Sequence, residues 1–357
     1  MFSKKYNDNK LSAKDKMRDG LDFILNNAIY IILIILVIYV QIDSIVEKRP
    51  NTFLSFKSTI NIIQKSSSAI FLALGVGGII VLTGTDLSAG RILGLTMLIS
   101  ASLLQKPITE YMNKMYPNID PWPILLVLLL IVIIGGIIGA FNGFCVAQFK
   151  LHPFIVTLAT QLMLYGLILM YLNFGKNNGA PISGLTESYK EVVRGSITIG
   201  GEQIQYYVFY AIIAVAIMWF IWNKTTLGKN MYAVGANPEA ANISGVSVRK
   251  TIVMVFMMAG LLYGFSGFIE AARIGSNNAT VGVNAELDAI AACVIGGVSF
   301  TGGTGKISGI VTGVILLQTI TVALQWLNVS TNLQYIIKGL IILVSVAIDM
   351  RKYLVRK

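Results

Sequence analysis

Ile124-Leu125-Leu126-Val127-Leu128-Leu129-Leu130-Ile131-Val132-Ile133-Ile134-Gly135-Gly136-Ile137-Ile138-Gly139-Ala140-Phe141-Asn142-Gly143-Phe144-Cys145-Val146-Ala147 runs without one charged residue. About 20 mostly apolar residues are what a helix needs to cross the hydrocarbon core of a bilayer. The stretch therefore reads as a transmembrane helix. The whole chain agrees. Of its 357 residues, 55% are hydrophobic and 13% charged, and the mean hydropathy is +0.72. A soluble domain carries about 25% charged residues to cover its surface. Half that supply excludes a soluble globule, and the apolar mass excludes disorder.

Working outward, similar runs occupy roughly 24–42, 66–83, 88–105, 153–173, 205–222, 251–271, 285–300, 305–326 and 333–350, making ten spans with 124–147. The third and eighth are short or begin among polar residues. The expected fold is all-α: a polytopic membrane protein of about ten transmembrane helices with interrupted or re-entrant segments. It reads as a single transmembrane domain over 1–357, with an N-terminal segment at 1–23 and an internal loop at 223–250. The first apolar run follows a basic segment, as in a signal peptide. No small-x-small cleavage site follows it, so it reads as an uncleaved first helix. Cys145 and Cys293 both lie in apolar runs and offer neither a disulfide framework nor a metal-binding spacing.

The net charge of +11 invites a nucleic-acid reading until the charges are placed. Ten spans put both termini on one side. If that side is the cytoplasm, 17 of the 28 lysines and arginines fall there, chiefly before residue 20, in Lys224–Lys250 and after residue 350. This is the positive-inside bias. The longest loops on the other side, 106–123 and 174–204, are polar and proline-containing. Lys338 lies within the last span.

Two glycine- and hydroxyl-rich segments break the apolar runs: Thr83-Gly84-Thr85-Asp86-Leu87-Ser88-Ala89-Gly90-Arg91 and Gly296-Gly297-Val298-Ser299-Phe300-Thr301-Gly302-Gly303-Thr304-Gly305-Lys306. They align without a gap at an offset of 213 residues, which hints at an internal repeat. Non-helical backbone cannot face lipid, because its N–H and C=O groups would go unsatisfied. Such breaks must be buried in protein or line a wet cavity, and paired breaks point to a transport pathway. Asp86, Ser88, Ser299 and Thr301 are the candidate pathway residues. Ser88 and Thr301 are also placed to cap the helices after them, and Asp86 is within reach of Arg91. Asn142, Gln161, Gln318 and Gln325 sit inside spans, either as interhelical hydrogen-bonding groups or as contacts for a hydroxylated solute. Glu270, Glu286 and Asp288 flank the outer ends of two spans.

Within 223–250, Asn237-Pro238-Glu239-Ala240-Ala241-Asn242-Ile243-Ser244-Gly245 spells a two-turn helix. Asn237 is the N-cap, Pro238 stands at N1, Glu239 suits the positive dipole end, and Gly245 stops it. So short a helix is not stable alone in water. It must pack on the protein's own face or on a peripheral partner.

Catalytic machinery is missing. His152 is the only histidine, and no phosphate-binding G-x-x-x-x-G-K-[S/T] occurs. Deep mid-span carboxylates are scarce, which argues against a proton- or sodium-driven transporter and against a membrane-embedded enzyme.

The residues then resemble a family. Gly84-Thr85-Asp86-Leu87-Ser88-Ala89-Gly90 is similar to the G-x-D-L-S-x-G signature of sugar-import permeases of ATP-binding-cassette systems. Pro153-Phe154-Ile155-Val156-Thr157-Leu158 is similar to that family's P-F-I-x-T-L. Tyr232-Ala233-Val234-Gly235 with Asn237–Gly245 resembles its cytoplasmic coupling segment, and Glu286-Leu287-Asp288-Ala289-Ile290-Ala291-Ala292 its E-L-D-A-I-A-A stretch. The resemblance runs from about residue 20 to the C-terminus. Within the family, the stretch 84–91 and Gln334-Tyr335-Ile336-Ile337-Lys338-Gly339 look closest to the galactose/methyl-galactoside branch, with ribose-type and other pentose or hexose permeases as the alternative. The resemblance implies a multi-pass protein of the bacterial plasma membrane that works as a homodimer. A cytoplasmic ATPase, carrying the ATP and Mg, would dock on the coupling segment Asn237, Pro238, Glu239, Ala240, Ala241, Asn242, Ile243, Ser244 and Gly245. An extracytoplasmic binding protein would deliver the sugar. No cofactor would be bound by this chain.

Overall fold

The computed structural model describes residues 28–49, 51–110, 113–175 and 177–354. The N-terminal segment 1–23 lies outside them. Thirteen helices and one hairpin follow in chain order among the described residues: α1 (Ala28–Val46), α2 (Phe56–Val81), α3 (Ala89–Leu103), α4 (Ile124–Phe149), α5 (Pro153–Leu172), α6 (Glu187–Arg194), β1 (Ser196–Ile199), β2 (Glu202–Gln205), α7 (Tyr206–Lys224), α8 (Thr226–Ala236), α9 (Pro238–Ile243), α10 (Val248–Ile274), α11 (Ala285–Ile295), α12 (Ile307–Trp326) and α13 (Thr331–Leu354). This is a multi-pass membrane protein.

Each of the ten expected spans holds a helix, but six are long and apolar enough to cross a bilayer: α2, α4, α5, α7, α10 and α12. Helix α2 starts ten residues earlier than its apolar run, at Phe56 rather than 66, because Ser55 accepts from the Ser58 N–H and caps it. Helix α2 is the central pillar, with 72% of its most apolar window buried, against 28–33% for α4, α5 and α7.

Helix α4 packs closely along α10. A Cβ on Gly139 would lie 2.2 Å from the Phe256 carbonyl oxygen, and one on Gly260 would lie 2.1 Å from that of Gly135. Lipid tails are as apolar as leucine, so helices in a bilayer associate through such close packing rather than through hydrophobic burial. Asn142 lies on the same helix and is fully buried.

The limb after α10 is unusual. Helix α10 ends at Gly275, and the chain turns back unwound. Asn277 exchanges two backbone hydrogen bonds with Ile182, at 2.8 and 2.9 Å. The segment then runs beside α3, so that a Cβ on Gly94 would meet the Val281 carbonyl at 2.6 Å. Only at Ala285 does it become helical, as α11, antiparallel to α12 through the facing pairs Gly296–Gly309 and Ala292–Gly313. The eighth span begins among polar residues because half of that limb is not a helix.

The two faces of the bundle differ. One carries α6, the β1–β2 hairpin and the loop residues 104–110 and 113–123, tied together where the Thr186 N–H donates to Leu104 O at 2.9 Å. On this face Glu187 pairs with Lys190 and Lys106, each at 3.0 Å, and Lys190 first, then Lys106, holds its carboxyl below the usual range. The opposite face carries α8 and α9.

Candidate functional site

A cleft of about 650 Å³ lies where α2, α3, α10 and α12 approach the hairpin face, walled on one side by residues 278 and 280–285 of the unwound limb. That volume falls within the range of about 300–1,000 Å³ typical of small-molecule sites. Four of its five charges come in pairs. Arg273 meets Glu270 at 2.7 Å, and Lys338 meets Asp288 at 2.8 Å. Lys65 donates to Gln325. Gln318 joins them on the wall, and the Ser266 hydroxyl, in a residue only 1% exposed, sits in the lining with no hydrogen-bond partner. A buried hydroxyl without a partner is costly. The unwound limb obeys the membrane rule as well: its backbone groups line a cavity rather than lipid.

At the opposite face the two breaks meet each other. The Gly303 N–H donates to the Val81 carbonyl at 2.9 Å, which joins the end of α2 to the loop after α11. Gly235 of α8 is wedged against the same bond. A Cβ there would stand 1.9 Å from Val81 O and 2.8 Å from Gly303 N. Thr83 adopts φ +62°, a strained left-handed conformation for a β-branched residue, with its methyl against Gly302. Tyr232 of α8 closes the arrangement by donating to Gly305 O at 2.9 Å. Helix α8 thus touches both breaks, and Asn237 follows it directly.

Helix α9 is capped as the sequence predicts. Asn237 Oδ1 accepts from the N–H groups of Glu239 and Ala240, both at 3.0 Å, and Gly245 takes the left-handed φ of +84° that ends it. Within the helix only Ala241 is buried, while Ile243 stands 88% exposed.

The four expected pathway residues form two pairs. Asp86 Oδ1 accepts from the Ser88 N–H at 2.9 Å and from its hydroxyl at 2.6 Å. Asn142 donates to Ser88 Oγ at 2.9 Å, and Thr160 donates to Asn142 at 2.6 Å. The first break is therefore stitched to α4 and α5 by a buried polar chain, with Asp86 Oδ2 facing the buried Tyr263 hydroxyl of α10. Ser299 and Thr301 share a hydrogen bond of 3.0 Å in the second break. Neither pair lines the cleft.

Some expectations are corrected. Ser88 does not cap α3, because its hydroxyl is committed to Asp86 and Asn142. Helix α12 starts at Ile307, with Lys306 rather than Thr301 at its N-cap. Arg91 does not pair with Asp86; it stacks on Tyr165 and donates to Ala279 O. The 213-residue offset would set Ala89, where α3 starts, against Gly302, five residues before α12 starts, so the helix boundaries do not superpose. Lys338 finds its partner in Asp288, 50 residues away in sequence.

The sequence reading missed the unwound limb and Ser266. Gly275, Gly282 and the asparagines at 277, 278 and 284 were the available signal for the limb. A lone serine in an apolar run carried none.

The fold and the two faces define a class, and comparison with known proteins agrees. Residues 58–346 match the family described as branched-chain amino acid transport system / permease component. This chain belongs to that family. Over 347 residues it is 43% identical to the galactose/methyl galactoside import permease of Escherichia coli, covering 97% of this chain and all of that protein. It is 42% identical over 347 residues to the counterpart in Haemophilus influenzae, with the same coverage. The ribose import permease of Bacillus subtilis is 35% identical over 301 residues, covering 84% of this chain and 87% of that one. No solved structure matches the chain.

Proposed function

We propose that this chain is the membrane-spanning permease subunit of an ATP-driven importer for galactose and methyl galactoside. The observation that carries the reading is the 43% identity along the full length of a permease named for that transport. In this reading the α8–α9 face is cytoplasmic, as are both termini, and the hairpin face looks outward. Two copies form the pathway. An extracytoplasmic binding protein delivers the sugar above the cleft. A cytoplasmic ATPase, which holds the ATP and Mg, docks on Asn237–Gly245.

The geometry supports the docking helix and its coupling to the breaks. An isoleucine 88% exposed on a two-turn helix is an apolar knob waiting for a socket. A push on α9 reaches both breaks through Gly235 and Tyr232 without an intervening side-chain layer. Asp86, Ser88, Ser299 and Thr301 belong to the inner end of the pathway, which the two breaks hold shut. The cleft offers paired charges and amide groups that exchange partners with sugar hydroxyls.

The test is uptake by the complex of permease, ATPase and binding protein in proteoliposomes, comparing galactose, methyl galactoside, ribose and glucose. Galactose and methyl galactoside are expected to be taken up with ATP and unaffected by proton or sodium gradients. An Ile243→Asp change is expected to reduce ATPase co-purification and uptake by about tenfold or more, as loss of an anchor in the interface core does. Uptake without the ATPase, or preference for ribose, would refute the reading.

A further inference from the structure

A second polar cluster lies on the far side of α11 from the cleft. Asp288 and Glu286 are two residues apart, so they point to nearly opposite sides of that helix. Asp288 faces the cleft and Lys338. Glu286 faces α3 and α5. Its Oε2 occupies the place a Cβ on residue 90 would need, 2.1 Å away, so only glycine at 90 admits it. Gln161 of α5 donates to Glu286 Oε1 at 3.5 Å. One turn along α5, the Tyr165 ring carries the Arg91 guanidinium over one face, 4.4 Å from its centroid. Among the described residues Arg91 donates one hydrogen bond, to Ala279 O at 3.1 Å, and makes no ion pair with Glu286 within 4 Å. None of these four residues lines the cleft.

Depth decides what the cluster is for. Gln161 is eight residues from the start of α5 and eleven from its end, about 12 and 16 Å along the axis. That places it near the bilayer midplane. Tyr165 is 41% exposed, Arg91 and Gln161 are half-buried, and Leu162 beside them is 65% exposed. A guanidinium with unspent donors does not open on acyl chains at that depth; ionisable groups inside a membrane face a bundle interior or water. The face of α5 carrying these residues is thus suited to a bundle interior or to water rather than to acyl chains.

We propose that Arg91, Gln161, Tyr165 and Glu286 form a mid-membrane station for the transported monosaccharide, separate from the outer cleft. A sugar presents hydroxyls around its edge and an apolar face of C–H groups. The cluster presents the complement: spare guanidinium donors, a carboxylate, an amide that supplies both a donor and an acceptor, and an aromatic edge and face. Glu286 is only 3% exposed and meets the cluster through the Gln161 amide, whereas Arg91, stacked on Tyr165, keeps donors that a hydroxyl can take up. The proposal rests on the sugar-importer reading.

The experiment uses the complete importer in lipid nanodiscs or proteoliposomes, reading sugar imported per ATP hydrolysed. Tyr165→Ala and Gln161→Ala are expected to lower that ratio by about fivefold or more and to change the preference between galactose and methyl galactoside, whereas Tyr165→Phe stays within about twofold. A parallel loss of uptake and ATP hydrolysis with unchanged preference, or no change at all, would overturn the station. A second arm does not depend on these variants folding. In a Cys145→Ser, Cys293→Ser background, Leu162→Cys is expected to react with a membrane-impermeant thiol reagent, and galactose with the binding protein is expected to slow the reaction. No reaction means the face meets lipid, which overturns the proposal; reaction unaffected by sugar overturns it as well. If the unaltered importer moves neither sugar, the importer reading fails, and the labelling arm alone still decides whether this face is wet.

Discussion

At the hairpin face the helices stand apart around a cleft walled by ion pairs; at the α8–α9 face they meet with no room for a methyl group. The first end is built from long side chains: Lys65, Glu270, Arg273, Asp288 and Lys338. Such groups reorient quickly and trade one partner for another, so that end adapts to a solute. The second end is built from backbone: Val81 O, Gly303 N and the bare Cα of Gly235. Packed backbone does not adapt. It moves as a body or not at all, and interfaces of that kind switch between discrete arrangements. One molecule thus carries an end built from exchangeable side chains and an end built from packed backbone.

The stiff end is expected to break hardest. Gly235→Val places a branched side chain where even one carbon would stand 1.9 Å from a carbonyl oxygen. It is expected to cost about 3 kcal/mol of stability and to abolish uptake, checked by thermal unfolding in detergent and by transport. A functional Gly235→Val protein would show that the junction is not rigid. Asp86 comes next. Asp86→Ala removes the acceptor of two buried hydrogen bonds from Ser88 and is expected to cost about 2 kcal/mol. Asp86→Asn keeps an oxygen for both bonds and removes the charge; it is expected to fold normally and lose most transport. If Asp86→Asn and Ser299→Ala both leave uptake and coupled ATP hydrolysis intact at normal expression, the pathway role of these residues falls. The soft end is expected to yield least. Lys338→Met frees Asp288 from a pair whose side chains are 15% and 36% exposed. The cost is expected to be about 1 kcal/mol, because water already screens the carboxylate. A larger loss would mean that the cleft is as rigid as the junction.

Much of this was legible in residue order, and the exceptions have physical causes. Apolar runs show spans because lipid demands them, and the Asn237–Gly245 cap shows α9 because capping is local chemistry. The breaks at Gly84 and at Gly302 were visible as glycine clusters. That they touch each other, with Gly235 between them, was not, since long-range contact between glycines leaves no side-chain pattern. The Asp86–Ser88–Asn142–Thr160 chain was half visible. Its members are polar residues in apolar surroundings, but which neighbour each would choose depends on how α4 and α5 pack. Ser88 looked like a cap and proved to be a link. Lys338 had no legible partner because Asp288 lies on a limb that looked like an ordinary helix.

That limb bears on how the chain is made. From Gly275 to Ile295 the nascent polypeptide offers the insertion machinery three asparagines, a glutamate, an aspartate and only an eleven-residue helix. Nothing in it is apolar enough to be recognised as a span by itself. Partition into the bilayer must wait until Ile307–Trp326 has emerged, so that α11 enters with α12 as a hairpin against an α2–α3 wall already in place. Biogenesis is therefore expected to contain a late, cooperative step, with the limb that walls the cleft enclosed last.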